Sequence, residues 1–496
     1  MFARTTIPYH GRLSTPLLRF GRRDRMTIGD LCEGTIVLGG SGSGKTSGTG
    51  QALGLSMLEA GFGGLVLCAK VDEADRWREY AYRTGREHSL ITVDASAAAR
   101  FNFLDYTQAT EARGGFDHNL VDVMARVTEA TAVADAGGGD GDNRFFRAAA
   151  MEMLSHAFPI LRATYGRLRL KDVLALIKSA PVSLAQPNDK TWQTESFCSQ
   201  TLIRAAHMSD HDPAIEQVLE DHSDYWMLQF PQMGDRTRSS IVTTLTSTIH
   251  PFLTGKLAEL FCTDTTVVPE LTHEGAIILL DLPVKDFGRM GAVAQQIFKY
   301  LWQRSVERRK PGRRTRPVFL FADECQFFLN SYDAEFLSTA RQSRACTVYM
   351  TQDRSTFYAQ LGGRGGHDTA DALIEKFQTR IFHANTATDT NRYAADTIGK
   401  TTQYRSIETI ARGWNAGASG TQSERDGSYG GGSGVNVSRQ MGETAYQDYV
   451  LSPEEFGRLL RTGGPENRGR VDAVLIRNGR RWKATGRNYL KVEFRQ

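Results

Sequence analysis

Glycine occupies six of the twelve positions in the run GGSGSGKTSGTG (Gly39 to Gly50). That much glycine would weaken a helix or strand interior, so the backbone here must adopt conformations that other residues adopt badly. The spacing Gly39-x-x-x-x-Gly44-Lys45-Thr46 fits the pattern GxxxxGK[ST], whose backbone N–H groups form a concave nest for phosphate. On that pattern Gly39, Gly40, Ser41, Gly42, Ser43 and Gly44 line the nest and Lys45 reaches the β- and γ-phosphates. The Thr46 hydroxyl is then placed to ligate Mg²⁺, and the expected ligand pair is ATP with Mg²⁺.

Hydrolysis needs more than a phosphate nest. A second strand must end in an acid that holds Mg²⁺ through water, and another acid usually polarises the attacking water. Two stretches compete: AIILLDLP, ending in a lone Asp281, and RPVFLFADECQFF, ending in the pair Asp323-Glu324. Only the pair offers both roles at one strand tip, so Asp323 is assigned to the metal and Glu324 to the water. Gln352 ends the run CTVYMTQ and is placed to sense the γ-phosphate; a plain strand-end glutamine is the alternative.

These residues need elements to position them. TIVL before the glycines reads as a buried strand, and GTGQALGLSMLEAG after them has helical length and apolar spacing. A glycine-serine linker would not sit between such elements. Further buried-strand runs are GLVLCA (Gly64 to Ala69), LITVD (Leu90 to Asp94), CTVYMTQ (Cys346 to Gln352) and TRIFHAN (Thr379 to Asn385). Alternating with helical stretches, they predict an α/β fold built on a mostly parallel sheet, with ligands at the carboxyl ends of the strands.

The 496 residues predict more than one domain, and a net charge of only +4 leaves nucleic-acid binding to be argued from local clusters. One such cluster is RSVERRKPGRRTRP, with seven Lys or Arg between Arg304 and Arg316; another runs from Arg468 to Arg487. Phosphate backbones attract such patches, although a charge run before a buried strand also reads as a solvated loop. The six scattered cysteines form no CxxC pair and read as buried thiols in a reducing compartment. With no signal-peptide run and no spanning apolar segment, the chain is expected to be cytoplasmic.

In this order the motifs resemble the coupling proteins of type IV secretion and conjugation. The phosphate loop is followed by RFNFLDY, NRFFRAAAMEML and RTRSSIVTTLTSTIHPFL. Then come VFLFADE, ARQSRACTVYMTQDRSTFYAQLG and FQTRIFHANTATDTNRYAADTIGKTT (Phe377 to Thr402). The resemblance implies a RecA-like P-loop NTPase with an inserted all-α domain, acting as an ATPase that moves DNA, single- or double-stranded, to a transfer channel. It also implies a homo-oligomer, a hexamer, with a relaxase or a membrane-channel partner that would hold the chain at the inner membrane. By position, 1–163 and 233–412 form the two parts of the ATPase domain, 164–232 the all-α insertion, and 439–496 the last strands of the ATPase domain. Arg341, placed on a helix before the Gln352 strand, matches the family's candidate arginine finger, with Arg344 and Arg236 as rivals. Many members carry N-terminal membrane helices; this sequence shows none, a departure that bears on export but not on the motor.

Three stretches are read from composition and turn signals. GWNAGASGTQSERDGSYGGGSGVNVS (413–438) is too poor in apolar residues to fold. Asn478-Gly479 predicts a tight hairpin turn between the last strands. His207, Asp210 and His211 have ligand types, but the adjacent Asp212-Pro213 reads as the start of a helix after a solvated connection. Three other functions stay open: a coupling ATPase for protein substrates, a non-motor interaction protein that uses ATP only to set its shape, and a soluble DNA-processing motor not tied to secretion.

Overall fold

A computed structural model describes residues 12–110, 116–132, 140–361, 366–415 and 434–496. The chain forms two compact units, one of Met1–Asn385 with Leu460–Gln496 and the other of Thr386–Leu459.

The larger unit begins with a small antiparallel hairpin, β1 (Pro16–Phe20) and β2 (Asp24–Thr27). Its central sheet contains β3 (Thr35–Leu38), β4 (Gly63–Leu67), β5 (Leu90–Val93), β6 (Ile277–Leu280), β7 (Val318–Ala322), β8 (Ala345–Thr351) and β9 (Thr379–Phe382). In the smaller unit β10 (Lys400–Asn415) and β11 (Gly434–Tyr449) pair antiparallel, from Lys400 opposite Tyr449 to Asn415 opposite Gly434. The chain then returns to the large sheet as β12 (Arg470–Arg477) and β13 (Tyr489–Arg495).

The large sheet has nine strands in the order β13-β12-β9-β3-β8-β7-β4-β6-β5. From β9 to β5 all neighbours are parallel, and β12 and β13 close one side antiparallel. The parallel strands TIVL, GGLVL, IILL, VFLFA and ACTVYMT are buried at every position, as strands covered by helices on both faces must be. The edge strand β13 instead alternates buried and exposed residues. The phosphate-loop strand β3 therefore sits mid-sheet, with β8 between it and β7.

Among the described residues no strand lies between Val93 and Ile277; the elements of this stretch, those within 164–232 included, are helices. Its helix starts follow local chemistry. Ser196 caps Phe197–Ser209 by accepting from the Ser199 amide, and Asp212 caps Pro213–Asp224 by accepting from Ala214. No group of three or more His, Cys, Asp or Glu is placed to hold a metal among the described residues.

Two expectations about the C-terminal part of the chain differ from the structure. Asn478-Gly479 does not close a tight hairpin, because Ile476 pairs with Tyr489 and the connection between them is long. Trp482, 1% exposed, drives it inward, and the Asp24 carboxylate accepts from the Lys483 and Ala484 amides at 2.8 and 2.9 Å. The Gly/Ser-rich tract also does not run unpaired throughout. Its ends, Gly413–Asn415 and Gly434–Ser438, are satisfied by the β10–β11 ladder, while 416–433 lie outside the described residues. No helix of the described residues is long and apolar enough to cross a membrane.

Candidate nucleotide site

Buried β3 delivers the chain directly into Gly39–Gly44 at the carboxyl edge of the sheet. Gly42 and Gly44 have φ of 71° and 80°, the left-handed region that glycine enters without strain. Crowding adds a second demand. A Cβ on Gly39 would lie 2.7 Å from the His383 Cβ, and one on Gly44 would lie 2.7 Å from Val471. The Gly39 amide donates to the Thr351 and Gln352 carbonyls, Gly40 to Ala384, and Ser43 to Gly40. Those three residues shape the loop. The Ser41, Gly42 and Gly44 amides make no hydrogen bond to protein among the described residues and are among the donors available to an anion. The following helix opens with a wide, π-like turn over Lys45–Gly50 and continues as Gln51–Glu59.

The structure brings the acids to this loop. The Thr46 hydroxyl donates to Asp323 Oδ2 at 2.7 Å, and Asp323 Oδ1 accepts from the Glu324 amide at 2.9 Å. Glu324 has φ of 48°, which turns the chain off the tip of β7. Its Oε1 lies 3.8 Å from Lys45 Nζ and 2.7 Å from Lys70 Nζ. Its Oε2 accepts from Gln326 at 2.9 Å, and Gln326 accepts in turn from Thr351 at 3.1 Å. Burial pushes the Glu324 carboxyl up, but Lys70, Gln326 and Lys45 together hold it below its ordinary value. The site thus presents an ionised carboxylate, a buried lysine and a hydroxyl–carboxylate pair of hard oxygens. Those oxygens fit Mg²⁺, which takes oxygen ligands and keeps several waters.

The remaining candidates are spread more widely. Asp281 ends β6, beyond β4 in the sheet, and pairs with Arg78 at 3.3 Å; burial outweighs that cation and raises its pKa. Gln352 follows β8 with an exposed side chain, and its carbonyl accepts from Gly39 at 3.1 Å and Asn385 at 2.8 Å. Arg341 is not on a helix: the helix Asp333–Thr339 has ended, and Arg341 lies in the turn leading into β8. That puts it at the amino edge of the parallel strands, opposite its own phosphate loop, with its side chain 69% exposed and 2.9 Å from Glu33. Arg344 is committed to the Thr315 and Arg313 carbonyls at 2.8 and 3.3 Å, and Arg236 is exposed near the start of the helix Asp235–Ile249.

Several members of the two basic clusters are occupied within the fold. Arg309 donates to the Arg316 and Ser343 carbonyls and Arg316 to Glu274. Arg477 lies 3.1 Å from Asp30 and also contacts Glu33, while Arg480 lies 2.7 Å from Asp30.

Three neighbours of the site were not singled out from sequence: Lys70, Glu73 and His383. Glu73 is 3% exposed; its Oε2 accepts from the Ala69 and Lys70 amides, and its Oε1 has no hydrogen-bond partner among the described residues. Burial, then the charge of Asp323, pushes it up to about 8. His383 lies under the loop with Nε2 2.8 Å from the Thr49 hydroxyl, and burial, then Lys45, pushes it down to about 3. The available signal was position. Lys70 and Glu73 follow the β4 run, and His383 follows β9, all at the edge that carries the glycines.

Comparison with known proteins places this geometry. A solved plasmid coupling protein, TrwB with a non-hydrolysable GTP analogue, matches with a TM-score of 0.58 at 15% identity, covering 99% of this chain and 90% of that one. TrwB with ADP and Mg²⁺ matches with a TM-score of 0.58 at 14% identity, covering 94% and 86%. At these identities the likeness is one of fold. No curated protein matches by sequence. The family model for conjugative DNA transfer by the type IV secretory system matches residues 11–428, most of the chain. The chain belongs to the type IV secretory system conjugative DNA transfer family.

Proposed function

We propose that the chain is the ATP-hydrolysing motor of a conjugative DNA-transfer system and works as a homo-oligomer. The observation that carries this reading is the Thr46–Asp323 contact of 2.7 Å, with Glu324 beside Lys45, at the end of a glycine loop. Bound Mg²⁺, held by Thr46 and through water by Asp323, would neutralise phosphate charge. Lys45 compensates the β- and γ-phosphate charge, and the Ser41, Gly42 and Gly44 amides hold the phosphate oxygens. Glu324 orients a water in line with the γ-phosphorus and takes its proton, giving ADP and inorganic phosphate. Gln352 reports the phosphate state to the loop through its carbonyl on Gly39.

Arg341, on the opposite edge, serves a neighbouring subunit rather than its own. A guanidinium there can hydrogen-bond two γ-phosphate oxygens of the adjacent site. The hexameric count, the relaxase or channel partner and placement at the inner membrane follow the family rather than any contact within this chain.

The test is ATP turnover with and without single- and double-stranded DNA, alongside the mass of the assembly. Turnover stimulated by DNA in an oligomer is expected. Turnover that no DNA moves would overturn the DNA reading and favour protein substrates, and turnover absent from every assembly would overturn the motor. Glu324→Gln should bind ATP and fail to hydrolyse it. Loss in Asp281→Asn with normal Glu324→Gln would move the base to β6.

A further inference from the structure

The segment after β4 places Lys70 over the site. Its ammonium is 2.7 Å from Glu324 Oε1, the same oxygen that stands 3.8 Å from Lys45. The two ammonium groups are therefore within about 6.5 Å of each other, the limit set by 3.8 and 2.7 Å from that shared oxygen. Two cations this close repel one another, and Glu324 between them, with Asp323 nearby, is what holds Lys70 there in the absence of a ligand.

The partners of Glu324 differ in freedom. Gln326 is buried and anchored to Thr351, so its bond to Oε2 is held by two elements. The Lys70 side chain is 47% exposed, so its ammonium can swing on its stem without opening the core. The base of that stem is pinned, because the Glu73 carboxylate accepts from the Lys70 amide at 3.3 Å and the Ala69 amide at 2.7 Å. A triphosphate gripped by Lys45 brings a terminal phosphate with several anionic oxygens into reach of Lys70. A diphosphate leaves that space without charge.

We propose that Lys70 is a second phosphate-binding cation that distinguishes nucleoside triphosphate from diphosphate, moving from Glu324 to the γ-phosphate and so freeing the base. This rests on the nucleotide reading of the site. In the absence of a γ-phosphate, Lys70 keeps Glu324 Oε1 engaged and the base is not available to water. With it, the ammonium gains a doubly charged partner and gives up a singly charged one. Lys70 thus couples the presence of the scissile phosphate to the readiness of Glu324.

The test is equilibrium binding of a non-hydrolysable ATP analogue and of ADP, both with Mg²⁺, to the full chain carrying Lys70→Met, Lys70→Arg or Lys45→Ala. Lys70→Met, which keeps the stem, should weaken the analogue by about three- to tenfold, the scale of a half-exposed charge-assisted contact, and leave ADP unchanged. Lys70→Arg should restore most of the difference. Glu324→Gln removes the competitor and should tighten the analogue by a similar factor, a gain absent from the Lys70→Met/Glu324→Gln double variant. Equal weakening of both nucleotides, or none of either, in a folded Lys70→Met chain would overturn the proposal. Normal binding in Lys45→Ala would instead overturn the nucleotide site itself, which separates the two failures.

Discussion

At the carboxyl edge of the sheet, Lys45, Lys70, Thr46, Asp323 and Glu324 converge on one place from three segments, and the glycine loop keeps amide donors unspent. At the amino edge the charged residues are just as dense. There Arg477 and Arg480 are paired with Asp30 and Glu33, Arg344 and Arg309 hold loop carbonyls, and Arg341 rests on Glu33. One edge gathers charge with capacity left for a ligand. The other spends it on joining loops, with the exposed Arg341 the member best able to exchange its partner. The contrast shows why a basic cluster in the sequence is a poor guide to function: a guanidinium with five donors is also the best tie for loop carbonyls.

The largest effect should come from Lys45→Ala, which removes the buried cation of the carboxyl edge. Turnover, measured as phosphate release, is expected to be abolished with overall folding unchanged, because the γ-phosphate loses its main positive partner. Activity near that of the parent would end the distinction between the edges at its root.

Arg341→Ala probes the exception at the amino edge. On the proposed role, in which the guanidinium acts on the transition state of a neighbouring subunit, turnover should drop by about 10³-fold while ATP affinity holds. Mixing Arg341→Ala subunits with Lys45→Ala subunits should restore part of the activity, since some interfaces then join an intact loop to an intact finger. Mixed assemblies that recover nothing would return Arg341 to the structural group.

Asp333 sharpens the comparison, because its charge is wholly consumed by the fold. It is 1% exposed; Lys299 lies 2.6 Å away, and Gln303 and the Tyr349 hydroxyl donate to it at 2.8 and 2.9 Å. Asp333→Ala leaves the buried Lys299 ammonium with the Phe328 carbonyl but without its carboxylate counter-ion, and should cost about 3–5 kcal/mol in denaturant unfolding. A cost near that of a surface substitution would show that the pair is not sealed from water.

His383 gives the carboxyl edge a pH signature. Its folded-state pKa of about 3 lies below the ordinary 6.5, so the native state resists a proton that the unfolded chain accepts. Its contribution is complete above the ordinary value and is lost progressively as pH falls toward the folded value. Between pH 6.5 and 5 this amounts to roughly 2 kcal/mol. His383→Asn should flatten melting temperature against pH over that range, and an unchanged slope would remove His383 as its source. The smallest effect belongs to Arg344→Ala, about 1 kcal/mol from lost carbonyl contacts, with nucleotide binding untouched. Loss of nucleotide binding there would erase the functional contrast between the edges.

What the sequence determined alone was local chemistry. Eight contiguous positions encode the phosphate loop, because a glycine nest followed by Lys-Thr needs no distant partner to be recognised. β-Branched and apolar runs such as TIVL and VFLFA encode buried strands for the same reason, and a carboxylate pair at the tip of one was legible as Asp323-Glu324. Tertiary structure decided which charges meet. Lys70 and Glu324 are 254 positions apart, and only the adjacency of β4 and β7 in the sheet joins them. The roles of the arginines depended likewise on which carbonyls and acids the folded loops present. The Asn478-Gly479 turn and the ends of the glycine-rich tract changed character for a related reason. Burial of Trp482 and a long β10–β11 ladder are interactions with partners outside the local window, and they outweighed the local preference.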